Sequence, residues 1–410
     1  MELLNKATIQ LNSHSIKPIF SLSIENEIPE PIYDNNPVDI LNKYKNMIDD
    51  IGNPKLWDFC KKNSNEYELL HHYVKNQRNI NLGIANYDPI SRSFFKLWEI
   101  LKDFDIIDIN KKNITYGALA EGPGGFIESF NFYRRKYALN PKDQVNCITL
   151  KPYSNDIPGW KHSHRIFREC DTYNISWGTD DTGNLYNTDN IRYFANLFRG
   201  NKAELVTADG GFDFSKNYSN QEANATRLIF AEIVTGFNIL NINGSMVIKI
   251  FDMYQAATVD IVFMLAYYFK EVFIVKPYTS RAANSEKYLV CKGFKGIELD
   301  DLNSLMNMLD EYKIISEQNK FVSRFLSNKI PQDFHDLVKN HNIYHISKQI
   351  KSLLKGLTFS KIKISNDDIN NIKNEQSVYS LAWCHKYDFP INNRCRYLNE
   401  KNPYNYIPNF

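Results

Sequence analysis

Hydrophobic positions follow two rhythms between residues 86 and 296. Short apolar runs at Ile114 to Ala120, Val145 to Leu150, Tyr173 to Trp177, Ala203 to Ala208, Ser245 to Phe251, Val272 to Val275 and Lys287 to Cys291 predict seven strands. Longer amphipathic stretches at Ser91 to Phe104, from Gly125 onward, at Glu222 to Leu240 and at Ala257 to Phe269 predict helices between them. In the first of these helices Phe94, Phe95, Trp98 and Leu101 form the apolar stripe, and Ser91 or Ser93 is the expected cap. Strands that alternate with helices imply an α/β fold with a mostly parallel sheet covered on both faces.

The flanks read differently. Residues 1–85 form an accessory segment. Pro29-Glu30-Pro31 and Asn35-Asn36-Pro37 mark loops, Val38 to Ile51 has helical spacing, and a second helix is expected over Asn65 to Lys75. Residues 297–410 show no clear strand. Leu302 to Leu309, Asn319 to Leu326 and Ile343 to Leu357 predict helices, and Lys348, Lys351, Lys355, Lys361 and Lys363 make this region basic. The chain thus divides into an accessory segment, a central α/β domain over 86–296 and a mainly helical C-terminal region.

Composition narrows the function classes. Apolar residues make up 43 % of the 410, enough for a sizeable core, and the net charge is only +2. That excludes a strongly basic tail-type nucleic-acid binder but leaves room for a local basic groove. The six cysteines form no CxxC pair, and Cys384-His385 with Cys395 lacks paired ligand spacing, so no metal site is expected. The longest apolar run, Ile261 to Phe269, falls well short of the ~20 residues of a membrane span. Met1 to Gln10 does not read as a secretion signal. The expectation is a soluble, cytoplasmic protein that is not secreted.

The chemistry begins at Ala118-Leu119-Ala120-Glu121-Gly122-Pro123-Gly124-Gly125-Phe126, a Gly-rich turn between a strand and a helix. In a doubly wound sheet such a turn lies in the crevice that binds nucleotides. Its spacing fits neither the GxGxxG fingerprint nor the GxxxxGK[ST] phosphate loop, which argues against a dehydrogenase or a nucleoside triphosphatase.

This turn resembles the first motif of the FtsJ-like ribose 2′-O-methyltransferases. The resemblance extends to Ile148-Thr149-Leu150-Lys151-Pro152-Tyr153 with Asn155-Asp156, and to Gly178-Thr179-Asp180-Asp181-Thr182-Gly183-Asn184-Leu185, which are similar to cofactor segments of the Adrift-type mRNA cap methyltransferases. It implies a Rossmann-like sheet of seven strands whose last strand is antiparallel beside the fifth. It also implies S-adenosylmethionine as methyl donor, with Gly122, Gly124, Gly125 and Phe126 lining its methionine and ribose part, Asp209 close by and Asp180 near the adenine. The sequence departs from many methyltransferases at Leu150 and Lys151, where an acid commonly holds the ribose.

The resemblance further implies a catalytic tetrad of Lys96, Asp209, Lys249 and Glu286. These stand in Ser91-Arg92-Ser93-Phe94-Phe95-Lys96, Thr207-Ala208-Asp209-Gly210-Gly211-Phe212-Asp213, Val247-Ile248-Lys249-Ile250-Phe251-Asp252 and Asn284-Ser285-Glu286-Lys287-Tyr288. Each alone has an ordinary reading, such as a snorkelling lysine at 249, a turn aspartate at 209, a strand-start charge at 286 or a solvated helix lysine at 96. Together they suit removal of a proton from a ribose hydroxyl, with Lys249 as the acceptor. A lysine does this best when its pKa is lowered toward ~7–8.

On the substrate side, Arg281 in Lys276-Pro277-Tyr278-Thr279-Ser280-Arg281 is a candidate phosphate contact, since a guanidinium bonds such oxygens in pairs. Tyr133 to Tyr137 and Lys161-His162-Ser163-His164-Arg165 interleave cations with rings, as RNA grooves do and as ordinary charged helix surfaces do. The expected partner is the capped 5′ end of mRNA, with ribosomal or transfer RNA as the alternative. A catalytically inactive RNA-binding or scaffolding protein is the alternative of another class. For the C-terminal region, RNA and a capping or polymerase subunit are the alternative partners. A large-DNA-virus source, with a virion or viral factory as its place, completes the expectation.

Overall fold

The computed structural model describes residues 8–11, 13–33, 36–71, 83–154, 157–160, 163–211, 220–362 and 364–398. Of the positions named above, 1–7, Asn35, 72–75, Asn155, Asp156, Lys161, His162, Phe212, Asp213 and Lys363 lie outside these. In chain order the elements are β1 (Thr8–Leu11), β2 (Phe20–Glu25), α1 (Asn36–Asp49), α2 (Pro54–Asn63), α3 (Ser93–Phe104), β3 (Thr115–Leu119), α4 (Gly125–Tyr137), β4 (Gln144–Ile148) and α5 (His164–Glu169). There follow β5 (Tyr173–Ser176), α6 (Thr188–Asn196), β6 (Ala203–Ala208), α7 (Gln221–Ile239), β7 (Leu240–Ile250), α8 (Ala256–Tyr268), β8 (Phe269–Val275) and β9 (Lys287–Phe294). The last are α9 (Leu299–Glu317), β10 (Phe321–Leu326), α10 (Gln332–Lys361) and α11 (Asn366–Lys386).

The main sheet has the strand order β1-β8-β9-β7-β6-β3-β4-β5. Strands β3 to β7 pair in parallel, and β9 lies antiparallel between β7 and β8. The seven expected strands are all present in the expected sense. An eighth, β1, comes from the accessory segment and pairs antiparallel with β8 at the edge. The direction of β9 follows from its connection. A parallel return would need a crossover of a dozen or more residues, usually through a helix. Residues 276–286 contain no helix and turn straight back. The β3 strand is buried along its whole length, as a central parallel strand must be.

Two regions depart from the expectation. Residues 319–326 were expected to be helical, yet α9 ends at Glu317, Asn319 takes a left-handed conformation (φ 57°), and β10 follows. That strand pairs antiparallel with β2, and the buried Asp260 carboxylate of α8 accepts the main-chain N–H groups of Phe325 (2.8 Å) and Leu326 (3.2 Å) and both arms of Arg324. These tertiary partners outweigh a short helical pattern. The second departure is the helix expected over 65–75. Within the described part, residues 65–71, only a single 3₁₀ turn forms at Glu68–Leu70. Asn65 is held instead by Glu68 (2.7 Å) and by the Gln376 amide, which donates to its carbonyl (2.7 Å). The serine cap of α3 is likewise absent, because the Ser91 and Ser93 hydroxyls bond each other at 2.6 Å.

The flanking regions pack on each other and on the sheet. Helix α10 lies against α1 and α2, and α11 covers the 3₁₀ turn. Cys384 and Cys395 are buried in the aromatic core around Trp98, whose indole donates to the Tyr387 carbonyl at 3.0 Å. No described helix is long and apolar enough to cross a membrane.

One buried carboxylate ties these layers together. Glu99, in the middle of α3, accepts from the N–H groups of Tyr278 (2.8 Å) and Thr279 (2.9 Å), the Thr279 hydroxyl (2.7 Å) and the Trp383 indole (3.1 Å). It fixes the β8–β9 connection against α3 and α11. Glu99→Ala strands all four donors. Equilibrium urea unfolding is expected to show a loss of about 3–5 kcal/mol, since each buried unpaired donor costs roughly 1–3 kcal/mol. A loss below about 1 kcal/mol would show that the anchor is dispensable.

Candidate active site

The carboxyl ends of β3 and β6 meet where the strand order reverses, which is the ligand crevice of an open α/β sheet. Asp209 follows β6, and Lys249 is the penultimate residue of β7. Because β9 runs the other way, its start lies at this same edge. Lys249 is paired with Tyr288 in register, and Glu286 immediately precedes the strand. Helix α3 delivers Lys96 from above the sheet.

The four expected residues form one connected set. Lys96 Nζ lies 2.6 Å from Glu286 Oε1. Lys249 Nζ lies 3.4 Å from Asp209 Oδ1 and donates to the Asp209 main-chain carbonyl at 2.7 Å. Between the two ion pairs stands the Tyr288 hydroxyl, 2.8 Å from Asp209 Oδ1 and 3.2 Å from Glu286 Oε1. A phenol has one proton, so it donates to one carboxylate at a time and links the pairs through a shared position. The Ser280 hydroxyl also donates to Glu286 Oε1, at 3.1 Å, and the buried Lys276 ammonium donates to the Glu286 carbonyl, at 2.7 Å. All four tetrad side chains are 12–14 % exposed, enough to meet a ligand while mostly shielded from water.

The electrostatics correct one expectation. Burial pushes the Lys249 pKa down, but Asp209, Glu286 and Glu232 outweigh burial, and its pKa is raised rather than lowered. Glu286 shows the converse. Burial alone would raise it, while Lys96, Lys249 and Lys276 hold it down at about 2. The lysines beside Glu286 whose pKa values are depressed are Lys276 and Lys287, in each of which burial dominates the attraction of a nearby carboxylate.

Two further acids lie beneath the edge. Glu232 of α7 accepts the Gly210 N–H at 3.1 Å, and burial drives its pKa up to about 8 against the pull of Lys249. Glu121, in the turn after β3, is buried against Thr207 and Tyr116, and burial raises its pKa well above the usual range. The two glycines after Asp209 are dictated by this packing. A Cβ on Gly210 would stand 2.1 Å from Glu232 Oε1, and one on Gly211 would stand 2.9 Å from Lys249 Nζ.

The Gly-rich turn is also shaped by its neighbours. A Cβ on Gly122 would meet the Gly159 carbonyl at 2.7 Å, one on Gly124 the Ser163 hydroxyl at 2.1 Å, and one on Gly125 the Ser93 hydroxyl at 2.2 Å. Gly124 is moreover left-handed (φ 106°) at the start of α4. These glycines are therefore required first by protein packing. Phe126 is buried, with its ring 5.8 Å from that of Tyr288, so its side chain supports the tetrad from the core. Asp180 is exposed, and its carboxylate accepts from Thr182 and Asn187 of its own loop and from Asn190 of α6, bonds that lower its pKa. Lys151 pairs with the exposed Asp181 and lies over the Trp177 ring. Arg281 is gripped by the buried carboxylate of Glu68 at 3.1 and 2.9 Å, so much of its guanidinium is committed inside the protein.

Tyr288, Ser280, Lys276, Glu232 and Glu121 were not singled out from the sequence. Tyr288 alone had a legible signal. Side chains two apart on a strand share a face, so it had to point with Glu286.

Two lysine–carboxylate pairs joined through one phenol stand at the switch point of an open α/β sheet with an antiparallel strand inserted beside β7, the fold class of the methyltransferases. The FtsJ-like methyltransferase family model matches residues 89–294, just over half of the 410, and the chain belongs to that family. It is similar to cap-specific mRNA (nucleoside-2′-O-)-methyltransferase 1 of Dictyostelium discoideum (28 % identity, 70 % of this chain, 39 % of the relative). It is also similar to cap-specific mRNA (nucleoside-2′-O-)-methyltransferase 2 of Drosophila melanogaster (32 % identity, 60 % of this chain, 35 % of the relative). An uncharacterized protein of Acanthamoeba polyphaga mimivirus matches 78 % of this chain at 26 % identity and 43 % of its own length. The chain thus spans less than half the length of these relatives.

The methyl donor of the class is S-adenosylmethionine, and the residues here fit it. The edge offers partly exposed main chain at Ala120, Gly122 and Pro123 and ionised carboxylate at Asp180.

Glu232 supplies a test of this electrostatic picture. Between the ordinary glutamate pKa and about 8, the folded protein retains a proton that the unfolded chain has released, so this group's contribution to stability falls as pH rises through that window. Glu232→Gln removes the effect. Urea unfolding from about pH 5 to about pH 8 is expected to show the variant gaining on the wild type by up to about 1.4 kcal/mol per pH unit. A difference independent of pH would contradict it.

Proposed function

We propose that this chain is an S-adenosylmethionine-dependent RNA ribose 2′-O-methyltransferase that acts on the 5′-capped end of mRNA, with Lys249 as general base. The observation that carries the reading is the connected set Lys96, Glu286, Tyr288, Asp209 and Lys249 at one sheet edge. The preference for a cap rests on the similarity to the two cap-specific methyltransferases of Dictyostelium discoideum and Drosophila melanogaster.

Bound at this edge, S-adenosylmethionine supplies a methyl group made electrophilic by the sulfonium. The protein's part is to align the ribose hydroxyl and take its proton. Lys249 Nζ, held from two sides by Asp209, is the acceptor. Glu286, kept ionised by Lys96, sets the field on Lys249 without accepting the proton itself. Tyr288 keeps the two carboxylates apart and oriented. A second positive charge at this edge shifts Lys249 back toward its free amine. Arg281 acts through the β8–β9 connection by way of Glu68, and its outward N–H groups are the part left for a phosphate. Main chain of the turn at Gly122 to Gly125 and the Asp180 loop hold the donor.

Labelled S-adenosylmethionine with short capped, uncapped and 2′-deoxy RNAs tests this directly. Label is expected on capped RNA, to vanish on 2′-deoxy substitution at one nucleotide, and to fall at least about 100-fold with Lys249→Ala. Equal labelling of uncapped structured RNA would transfer the chemistry to ribosomal or transfer RNA. No labelling of any RNA would defeat the reading.

The raised pKa of Lys249 sets the pH dependence. With both substrates below saturation, the rate is expected to climb about tenfold per pH unit up to and beyond the ordinary lysine value of about 10.4. A plateau reached near neutral pH would remove Lys249 as the titrating base.

A further inference from the structure

Beside the tetrad, on the side away from the Gly-rich turn, lies a cavity of about 660 Å³. Helix α10 forms one wall, the Ser64–Tyr67 segment and α11 another, and the β8–β9 connection the floor. The C-terminal helices that line it lie outside the family match, which ends at residue 294.

Four observations give this cavity a character. First, it is continuous with the site. Lys276 and Ser280 line it, and these are the residues that donate to Glu286. Second, it is cationic. Lys348, Lys351 and Lys355 recur along one face of α10, and these three ammonium groups stand against two acids, Glu66 and Glu375. Third, it carries rings at its mouth. Tyr344 is half-exposed with the Lys348 ammonium 5.5 Å from its ring centre, and Tyr379 stands across from it, edge-on to Tyr67. Fourth, it holds a buried polar atom without a partner. His345 lines the cavity at 8 % exposure, and its Nε2 has no hydrogen-bond partner among the described residues. Its ring lies 4.1 Å from that of His341, whose two nitrogens are likewise unpaired among those residues. Burial and the neighbouring His341, Lys287 and Lys276 keep His345 neutral.

Unpaired buried nitrogens cost free energy unless a ligand bonds them. Ammonium groups in a row beside aromatic faces are what a single nucleic-acid strand requires. We propose that this cavity binds the RNA strand next to the methylated nucleotide, its phosphates along Lys348, Lys351 and Lys355 and a base against Tyr344, with the base edge bonded by His345. This rests on the RNA-methyltransferase reading given above and assigns the C-terminal helices a direct part in substrate selection. The cavity volume is that of a small-molecule site, which suits one or two nucleotides rather than a duplex.

The test uses the full chain and 3′-labelled ten-nucleotide RNAs ending in a cap, a 5′-triphosphate or a 5′-hydroxyl. Affinity is read by fluorescence anisotropy at several salt concentrations. Lys348→Glu with Lys351→Glu is expected to weaken binding at least tenfold and to lower the salt slope by about 1.4, roughly 0.7 for each lost phosphate contact on a single strand. Tyr344→Ala is expected to weaken binding without changing that slope. S-adenosylmethionine affinity, measured by calorimetry, is expected to stay at the wild-type value, which shows that the variants are folded. The milder Lys351→Gln with Lys355→Gln serves if the charge reversal does not fold. A loss confined to the capped and triphosphate RNAs places a 5′ polyphosphate in the cavity, and an equal loss on all three places internal phosphates there. Unchanged affinity and slope in folded variants would overturn the proposal. Should the wild type bind RNA through these lysines yet transfer no methyl group, the RNA site stands and the catalytic reading alone fails.

Discussion

The reversed direction of β9 is the constraint on which the site depends. Parallel strands all end at one edge, so a site built from them alone can use only strand ends. Inserting β9 antiparallel between β7 and β8 adds a strand beginning to that edge. Glu286 thereby comes beside Asp209 and Lys249, and Tyr288 faces Lys249 across the ladder. The same short connection presents Lys276 and Ser280 to Glu286 and is pinned on its far side by Glu99.

Charge balance at this edge explains why so many acids are tolerated in so little space. With Glu121 and Glu232 pushed toward their neutral forms by burial, the two remaining acids of the set, Glu286 and Asp209, each stand beside one ammonium. A hydroxyl sits at the one junction where two carboxylates would otherwise face each other. Glycine at 210 and 211 is the steric condition for that arrangement, because any side chain there would displace Glu232 or Lys249.

The central sheet was legible in the sequence because its strands are apolar on both faces, a pattern that short runs such as Val145 to Leu150 show without ambiguity. The tetrad was legible only through resemblance, since Lys96 or Glu286 alone looks like any surface charge. The six residues of β10 were not legible, because their partners in β2 and at Asp260 are distant in sequence and no local pattern records them. Nor were Glu232 and Glu99, each a carboxylate inside an apolar helix whose importance lies wholly in the backbone and side-chain donors that tertiary packing brings to it. The sign of the Lys249 shift escaped for a similar reason. It is a sum over three carboxylates from three separate elements.

The pairing of β2 with β10 has a consequence for how the chain is made. A ribosome adds about 5–20 residues per second, and roughly 300 residues separate the two strands, so β2 emerges some fifteen seconds to a minute before its partner exists. Helix α1 waits similarly for α10. Throughout that interval the nascent chain can complete its methyltransferase sheet while an unpaired strand edge near its start stays open. Formation of the central sheet and closure of the β2–β10 pair are therefore events separated in time whenever the sheet forms as the chain emerges.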